Sequence, residues 1–263
     1  IALGHLGDDP ASMPWTSEEL IANTTGLDAF IDGHSHSTIE GEKVSDKAGN
    51  DVLLTSTGTK LQNIGKMIIT AEGELTTALI SGYTDVDAPT DEYIKGIQAQ
   101  FTDKLQQVVG KSEVKLVIND PVTGDRIIRN RETNLGDFCA DAYRKVTGAD
   151  IAFVNGGGIR ASIEIGDVTY GDLIAVHPYG NMMCVVEASG QEILDTLEVA
   201  ACAAPEELGS FLHVSGLKFT INVAIESTVV MDDKGMLASI GDARRISDVQ
   251  ILQADGTYVP IDP

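Results

Sequence analysis

The chain reads as an α/β protein of two units, and three observations lead there. Short apolar runs bounded by Gly, Asp and Pro alternate with stretches whose apolar residues recur at helical spacing. Capping-box pairs mark several helix starts. A Pro-containing acidic stretch, "DVDAPTDEY" at residues 85–93, separates a strand-rich beginning from a mixed remainder.

Taken in order, "IALGHLG" is a buried strand turning into a loop at Gly4-His5. Thr16 with Glu19 caps a short helix through Leu20 and Ile21. In "DAFIDGHSHSTIEG", residues 28–41, Ala29 to Ile31 end a strand and Asp32-Gly33 turns out of the sheet. His34 and His36 follow, one residue apart. In extended backbone such residues point to one side, so the two imidazoles can converge on zinc or manganese. A polar loop with locally bonded histidines is the competing reading. "DVLLTSTG" is a strand, and "GKMIITAEGELTTALISGY" is a strand pair turning at Glu72-Gly73-Glu74.

After the boundary, Ile94, Ile97, Phe101, Leu105 and Val108 predict an amphipathic helix up to Gly110. "VKLVI" reads as a strand, and "TNLGDFCADAYRKVTG" as a helix stopped by Gly148 that buries Leu135, Phe138, Cys139, Ala142 and Val146. "DIAFVNGGGIRA" is a strand entering a glycine loop. In "TYGDLIAVHPYG", Thr169 and Asp172 open a helix, and a turn follows at Pro178-Tyr179-Gly180. "NMMCVVEASGQEILDTLEVAACAAP" is a strand, a Ser189/Glu192 capping box and a helix ending near Pro205. "GLKFTINVA" and "RISDVQIL" are later strands.

Composition narrows the function. The 263 residues carry a formal charge of −22, which repels nucleic acid and anionic membranes, and no apolar run is long enough to span a bilayer. A phosphate site would need local cations. Cys139, Cys184 and Cys202 lack metal or redox spacing and read as buried small hydrophobes. The first residues already read as a strand and the last lack a closing element, so a fragment of a longer protein is expected.

The glycine loop formally matches a dinucleotide fingerprint at Gly156, Gly158 and Ala161, but "SIEIGDVTYG" follows where a helix must start. What remains is a strand end flanked by Asn155 and Arg160, open to a close ligand approach or to a structural turn. Of the clustered arginines, Arg126 reads as a turn residue and Arg144 as a helix surface charge. Arg131, before a helix N-terminus, and Arg160 are the anion-binding candidates. Tyr179 can stack on a planar ligand or cap a small core. His177 and His213 have no partner at ligand spacing and read as structural.

"GHLG", "DGHSHS", "RETNLGDFCADA", "VNGGGIR", "DVTYGDL" and "PYGN", in this order, resemble the 5′-nucleotidase family over nearly the whole chain. The resemblance implies the C-terminal part of a calcineurin-like metallophosphoesterase domain at residues 1–88. It further implies a linker helix at 89–111 and a nucleoside-binding domain at 112–263. It implies two divalent metal ions, zinc, manganese or similar, with His5 and His34 on one and His36 on the other. Arg131, Asn155, Gly157 and Arg160 would hold the nucleoside or its ribose, Tyr179 would stack on the base and Asn181 would contact it.

The family's opening Asp-x-His pair, bridging Asp and Asn-His dyad find no match, so no catalytic residue is assigned. Its Gly-Gly-Asp-Gly segment with a second aromatic is missing too. The expectation is a parent that hydrolyses nucleoside 5′-monophosphates by metal assistance, with domain rotation, and a chain that binds metal weakly and is nearly inactive alone. UDP-sugar hydrolysis, 2′,3′-cyclic nucleotide hydrolysis and nucleoside binding without turnover are the rivals. The family implies an extracytoplasmic place, a nucleotide or nucleoside as small-molecule partner, and no membrane insertion; a homodimer stays open.

Overall fold

The computed structural model describes residues 1–232 and 235–263. The chain forms two compact units, Ile1–Tyr93 and Ile94–Pro263. It is a mixed α/β fold of several small sheets and five α-helices among the described residues.

The first unit contains β1 (Ala2–Leu3), α1 (Ser17–Asn23), β2 (Ala29–Asp32), β3 (Thr38–Ser45), β4 (Asp51–Thr57), β5 (Asn63–Ile69) and β6 (Leu75–Ser81). Its sheet runs β1-β2-β4-β3, with β1 and β4 parallel to β2 and β3 antiparallel to β4. β5 and β6 make a separate hairpin. Ile21 from α1 packs with Phe30, Ile39, Val52 and Leu54 from the sheet. The predicted cap is present: Thr16 Oγ1 accepts the Glu19 amide at 3.3 Å. The parallel strands β1 and β2 end side by side, so the loops bearing His5 and His34 leave the same sheet edge. Such C-terminal strand ends are where open α/β sheets place ligands.

α2 (Ala88–Leu105) follows, and the division between the units falls within it. Its apolar residues recur as predicted, yet none is buried: Ile94, Ile97, Phe101 and Leu105 are 37–52% exposed. The helix also ends earlier than the periodicity suggested, because Val108 opens a strand.

The second unit continues with β7 (Val108–Ser112), α3 (Asn134–Thr147), β8 (Ala152–Asn155), β9 (Gly166–Thr169), α4 (Tyr170–Val176) and α5 (Gly190–Ala200). It closes with β10 (Leu212–Ser215), β11 (Leu217–Ile221), β12 (Val229–Met231), β13 (Leu237–Ile240), β14 (Ile246–Leu252) and β15 (Tyr258–Pro260). The pairs are β7-β9, β8-β10 and β12-β13, with a three-stranded β11-β14-β15 sheet. One core gathers Ile128, Leu135, Cys139, Val154, Ile159 and Val176; another joins Leu197 of α5 and Ala201 just after it to Leu217, Ile246 and Val249. The Thr169/Asp172 and Ser189/Glu192 capping boxes form in full, and Gly148 caps α3 at φ 71°.

Several expectations are corrected. "VKLVI" is not a strand: the β7-β9 ladder ends at Ser112, and only an isolated bridge, Leu116 to Ile163, follows. "NMMCVVEAS" forms no strand, since β-branched composition makes a strand only where a ladder partner accepts it. Phe138 and Val146 of α3 are 53% and 73% exposed, so the buried stripe is narrower than the sequence periodicity. Arg144 does lie on the helix surface, where its Nε donates to the Asp150 carbonyl at 2.8 Å. Arg126 is tied across the unit by an ion pair with Glu207. Cys139 is buried, but Cys184 is exposed.

His213 on β10 is buried, with Nε2 2.8 Å from the Ile128 carbonyl. A carbonyl only accepts, so Nε2 carries the proton and Nδ1 is left without a partner among the described residues. Burial holds this imidazole below the usual histidine range, against the opposing pull of the Ile128 bond and the Glu132 charge. Near and below pH ~6.5 the unfolded chain therefore takes up a proton that the folded one resists. Unfolding free energy is expected to fall as pH drops through that window and to level off below the folded pKa. Asp137, raised to about 6 by burial and then by Glu132 and Asp141, contributes with the opposite sign. In urea titrations at pH 7 and 5, acidification should accordingly cost His213→Gln less stability than it costs the native chain; equal changes contradict this.

Candidate functional site

In the first unit, two carboxylates shape the loops that carry the histidines. Asp32, the last residue of β2, accepts the backbone amides of Leu6 and Gly7 at 2.9 and 3.0 Å. This ties the end of one strand to the loop after its neighbour. Asp8 accepts the hydroxyls of Ser35 and Ser37, the latter at 2.7 Å, and Ser35 Oγ in turn accepts the Asp8 amide. Partial burial raises the Asp8 carboxyl, but the two hydroxyls and the residue's own backbone amide together hold the group below its usual range.

Between these ties, the rings of His5 and His34 meet edge to face with centroids 5.1 Å apart. Gly33 leaves room for this: a Cβ there would lie 3.1 Å from His5 Nδ1. The loop is not the extended segment expected. His34 and His36 have φ of 79° and 62°, left-handed values that break the alternation of side chains. The pair that forms is His5 with His34, across two loops, and His36 is exposed. Among the described residues no group of three or more His, Cys, Asp or Glu side chains is arranged to hold a metal ion. The residues present therefore fit two ligands of a divalent centre, not a complete one.

In the second unit the glycine loop forms a single 3-10 turn, Gly156–Gly158, after β8. Its glycines serve close packing. A Cβ on Gly156 would collide with the Ile128 carbonyl, and one on Gly157 would sit 2.7 Å from the Gly209 oxygen. The Gly209 carbonyl accepts both the Gly157 amide at 2.9 Å and Asn155 Nδ2 at 3.0 Å. With its amine so committed, the Asn155 side chain keeps its oxygen as an acceptor.

Arg160 closes the loop. Its amide donates to the Val176 carbonyl at 2.9 Å, its Nη1 donates to the Gly157 carbonyl at 3.3 Å, and its guanidinium carbon lies 5.8 Å from the centre of the Tyr179 ring. Tyr179 is 58% exposed, so its ring presents a face and is not the lid of a small core. A cleft of about 1420 Å³ opens beside the loop, with Asn155, Gly158, His177 and Asn181 in its wall. Asn155 and Gly157 thus share the Gly209 carbonyl, Arg160 contacts Gly157 and Tyr179, and Asn181 shares a cleft with Asn155. Arg131 is exposed and lies elsewhere in its environment: its charge helps the Val122 and Thr123 amides to hold the Asp120 carboxyl low.

Three participants were not singled out from sequence: Asp32, Asp8 and Gly209. Asp32 was read only as a turn residue, and the two others sit in loops whose long-range partners no local pattern announces. An exposed aromatic ring beside a guanidinium suits a planar ligand, and the Asn155 amide oxygen lies in the wall of the neighbouring cleft.

A sequence model of the 5′-nucleotidase C-terminal domain matches residues 108–263. The chain is 28% identical over 237 residues to the trifunctional nucleotide phosphoesterase YfkN of Bacillus subtilis, covering 85% of this chain and 15% of that protein. It is 32% identical over 170 residues to a 5′-nucleotidase of Vibrio cholerae, covering 64% of this chain and 30% of that protein. Among solved structures, the 5′-nucleotidase precursor of Thermus thermophilus superposes with a TM-score of 0.66 at 28% identity, over 93% of this chain and 49% of that one. The chain thus spans less than a third of these two curated relatives and about half of the solved structure. With more than half of its residues matched, the chain belongs to the 5′-nucleotidase C-terminal domain family.

Proposed function

We propose that this chain is part of a metal-dependent phosphohydrolase that releases phosphate from nucleoside 5′-monophosphates. In this reading residues 1–88 are the C-terminal part of the metallophosphoesterase domain, 89–111 the linker and 112–263 the nucleoside-binding domain. The observation that carries it is the linked group Asn155, Gly157, Arg160 and Tyr179, lying inside the segment matched by the family.

Tyr179 offers a ring for a base, Asn155 an acceptor for a ribose hydroxyl, Asn181 a polar contact to the base, and Arg160 a cation. Arg131 remains a candidate for the same ligand through its charge. His5, His34 and His36 are the proposed metal ligands, of which the first two are paired in space. A divalent ion bound there would polarise a phosphoryl oxygen and lower the pKa of a bound water. The chain's own part is to orient two imidazoles through the Asp32 and Asp8 ties. An extracytoplasmic place, with no helix among the described residues long and apolar enough to cross a membrane, is part of the same proposal.

A second reading, nucleoside capture without turnover by these residues alone, is favoured by the incomplete ligand set of the first unit. One assay can overturn the second. Phosphate release from AMP, UDP-glucose and 2′,3′-cyclic AMP is measured with added Mn²⁺ or Zn²⁺, for the native chain and His34→Ala. No release above the variant is expected from this chain alone. Release from AMP that His34→Ala abolishes would establish a working centre here and overturn the capture reading.

A further inference from the structure

The acceptor that Asn155 offers a ligand is only as well placed as the chain around it. Three segments meet there: the end of β8 with its glycine loop, residues 127–131, and residues 205–213. The Gly156 and Gly157 amides donate to the Phe211 and Gly209 carbonyls at 2.8 and 2.9 Å. Asn155 Nδ2 shares the Gly209 carbonyl at 3.0 Å, so the position of Gly209 decides where the Asn155 oxygen points. The Leu208 amide in turn donates to the Arg129 carbonyl at 3.0 Å, and Asn130 Nδ2 donates to the Pro205 carbonyl at 3.0 Å. Gly209 is therefore held by its ties to residues 127–131 as well as by the loop.

His213 belongs to one of these segments and reaches both others. On β10 it pairs with Val154 of β8, next to the Leu212–Asn155 pair. Its Nε2 donates to the Ile128 carbonyl at 2.8 Å. That carbonyl is the one a Cβ on Gly156 would strike, so it lies directly against the glycine loop. The opposite side of the ring is wedged against α3, where a Cβ on Gly136 would collide with Nδ1. The imidazole is thus confined between a helix and a carbonyl, with one donor and no freedom to turn it elsewhere. A neutral ring makes this bond without burying a charge under the loop.

We propose that His213 is a positioning residue of this site: its bond to the Ile128 carbonyl sets residues 127–131 against the glycine loop and so fixes the direction in which Asn155 presents its oxygen. The inference rests on the reading of the second unit as a nucleoside site in which Asn155 accepts from a ribose hydroxyl. Removing the donor misplaces that acceptor, and the loss falls on ligands that use it.

The test compares adenosine with 2′,3′-dideoxyadenosine, which keeps the base and lacks both ribose hydroxyls, by calorimetric titration into the whole chain. The native chain is expected to prefer adenosine about tenfold, the size of one hydrogen bond. His213→Leu, which has no donor, should bring that preference close to one by weakening adenosine alone. His213→Gln, whose amide can donate to the same carbonyl, should keep it. An unchanged preference in His213→Leu would overturn the proposal, and so would equal weakening of both nucleosides, which marks a purely structural role. A second arm needs no variant to fold. By linkage, a bond that holds the binding arrangement is itself held by the ligand. Adenosine should therefore slow exchange of the His213 Nε2 proton and the Gly156 and Gly157 amides, followed by NMR, more than that of the Ile246 amide on β14. No larger slowing would overturn the proposal. If the native chain binds neither nucleoside, the Asn155 Nδ2 signals of the free chain decide. Signals that shift in His213→Leu and return in His213→Gln leave the positioning standing and the nucleoside reading fallen; unshifted signals overturn the positioning itself.

Discussion

Replacing Arg245 with Met is expected to destabilise the second unit by ~3–5 kcal/mol, since several buried acceptors lose their donor at ~1–3 kcal/mol each. Arg245 is 8% exposed. Its Nη1 donates to the carbonyls of Ala201, Cys202 and Ala204, the last at 2.6 Å, and its Nε donates to Ile225 at 2.7 Å. Three of these carbonyls follow α5, whose final carbonyl groups need donors from outside the helix. Glu198, fully buried on α5, completes the arrangement by accepting the amides of Arg245 and Ile246 at 2.8 and 2.9 Å. One turn of α5 is thereby fastened to β14 from both sides. Met fills comparable space but supplies no donor to the four carbonyls. Urea unfolding should show a much lower midpoint with an unchanged slope. An unaltered midpoint would mean that water or another donor replaces the guanidinium.

Tyr179→Ala should weaken adenosine about tenfold or more, the scale of one base–aromatic stack, while leaving the thermal midpoint in place. The ring is more than half exposed, so its removal opens no cavity. It also removes the surface over which Arg160 lies, and Arg160 keeps its bond to the Gly157 carbonyl. Affinity and stability should therefore separate in this variant. A loss of both together would place Tyr179 in the packing of the turn, as a core cap; no loss of affinity would remove it from the ligand site.

What the sequence revealed was local. The capping pairs at Thr169/Asp172 and Ser189/Glu192 and the stop at Gly148 are written within four residues of each helix end, and all form. The glycine loop and its neighbours Asn155 and Arg160 were legible because a glycine run after a strand signals close approach. The His5–His34 pairing was implied by the resemblance alone and not by the residues themselves. It depends on β1 and β2 ending side by side and on left-handed backbone at His34, neither of which a two-residue spacing can report. His177 was read as structural for want of a sequence partner; its ring contact, Tyr143, comes from 34 residues away. The apolar stripe of α2 shows the reverse limit: period predicts a helix, while burial depends on what packs against it.

The most direct measurement is the titration of adenosine into the native chain, with Tyr179→Ala as its control. The proposed site predicts saturable binding at one site per chain that Tyr179→Ala weakens. Absence of binding by a folded native chain, or binding indifferent to Tyr179, would contradict a nucleoside site in the second unit.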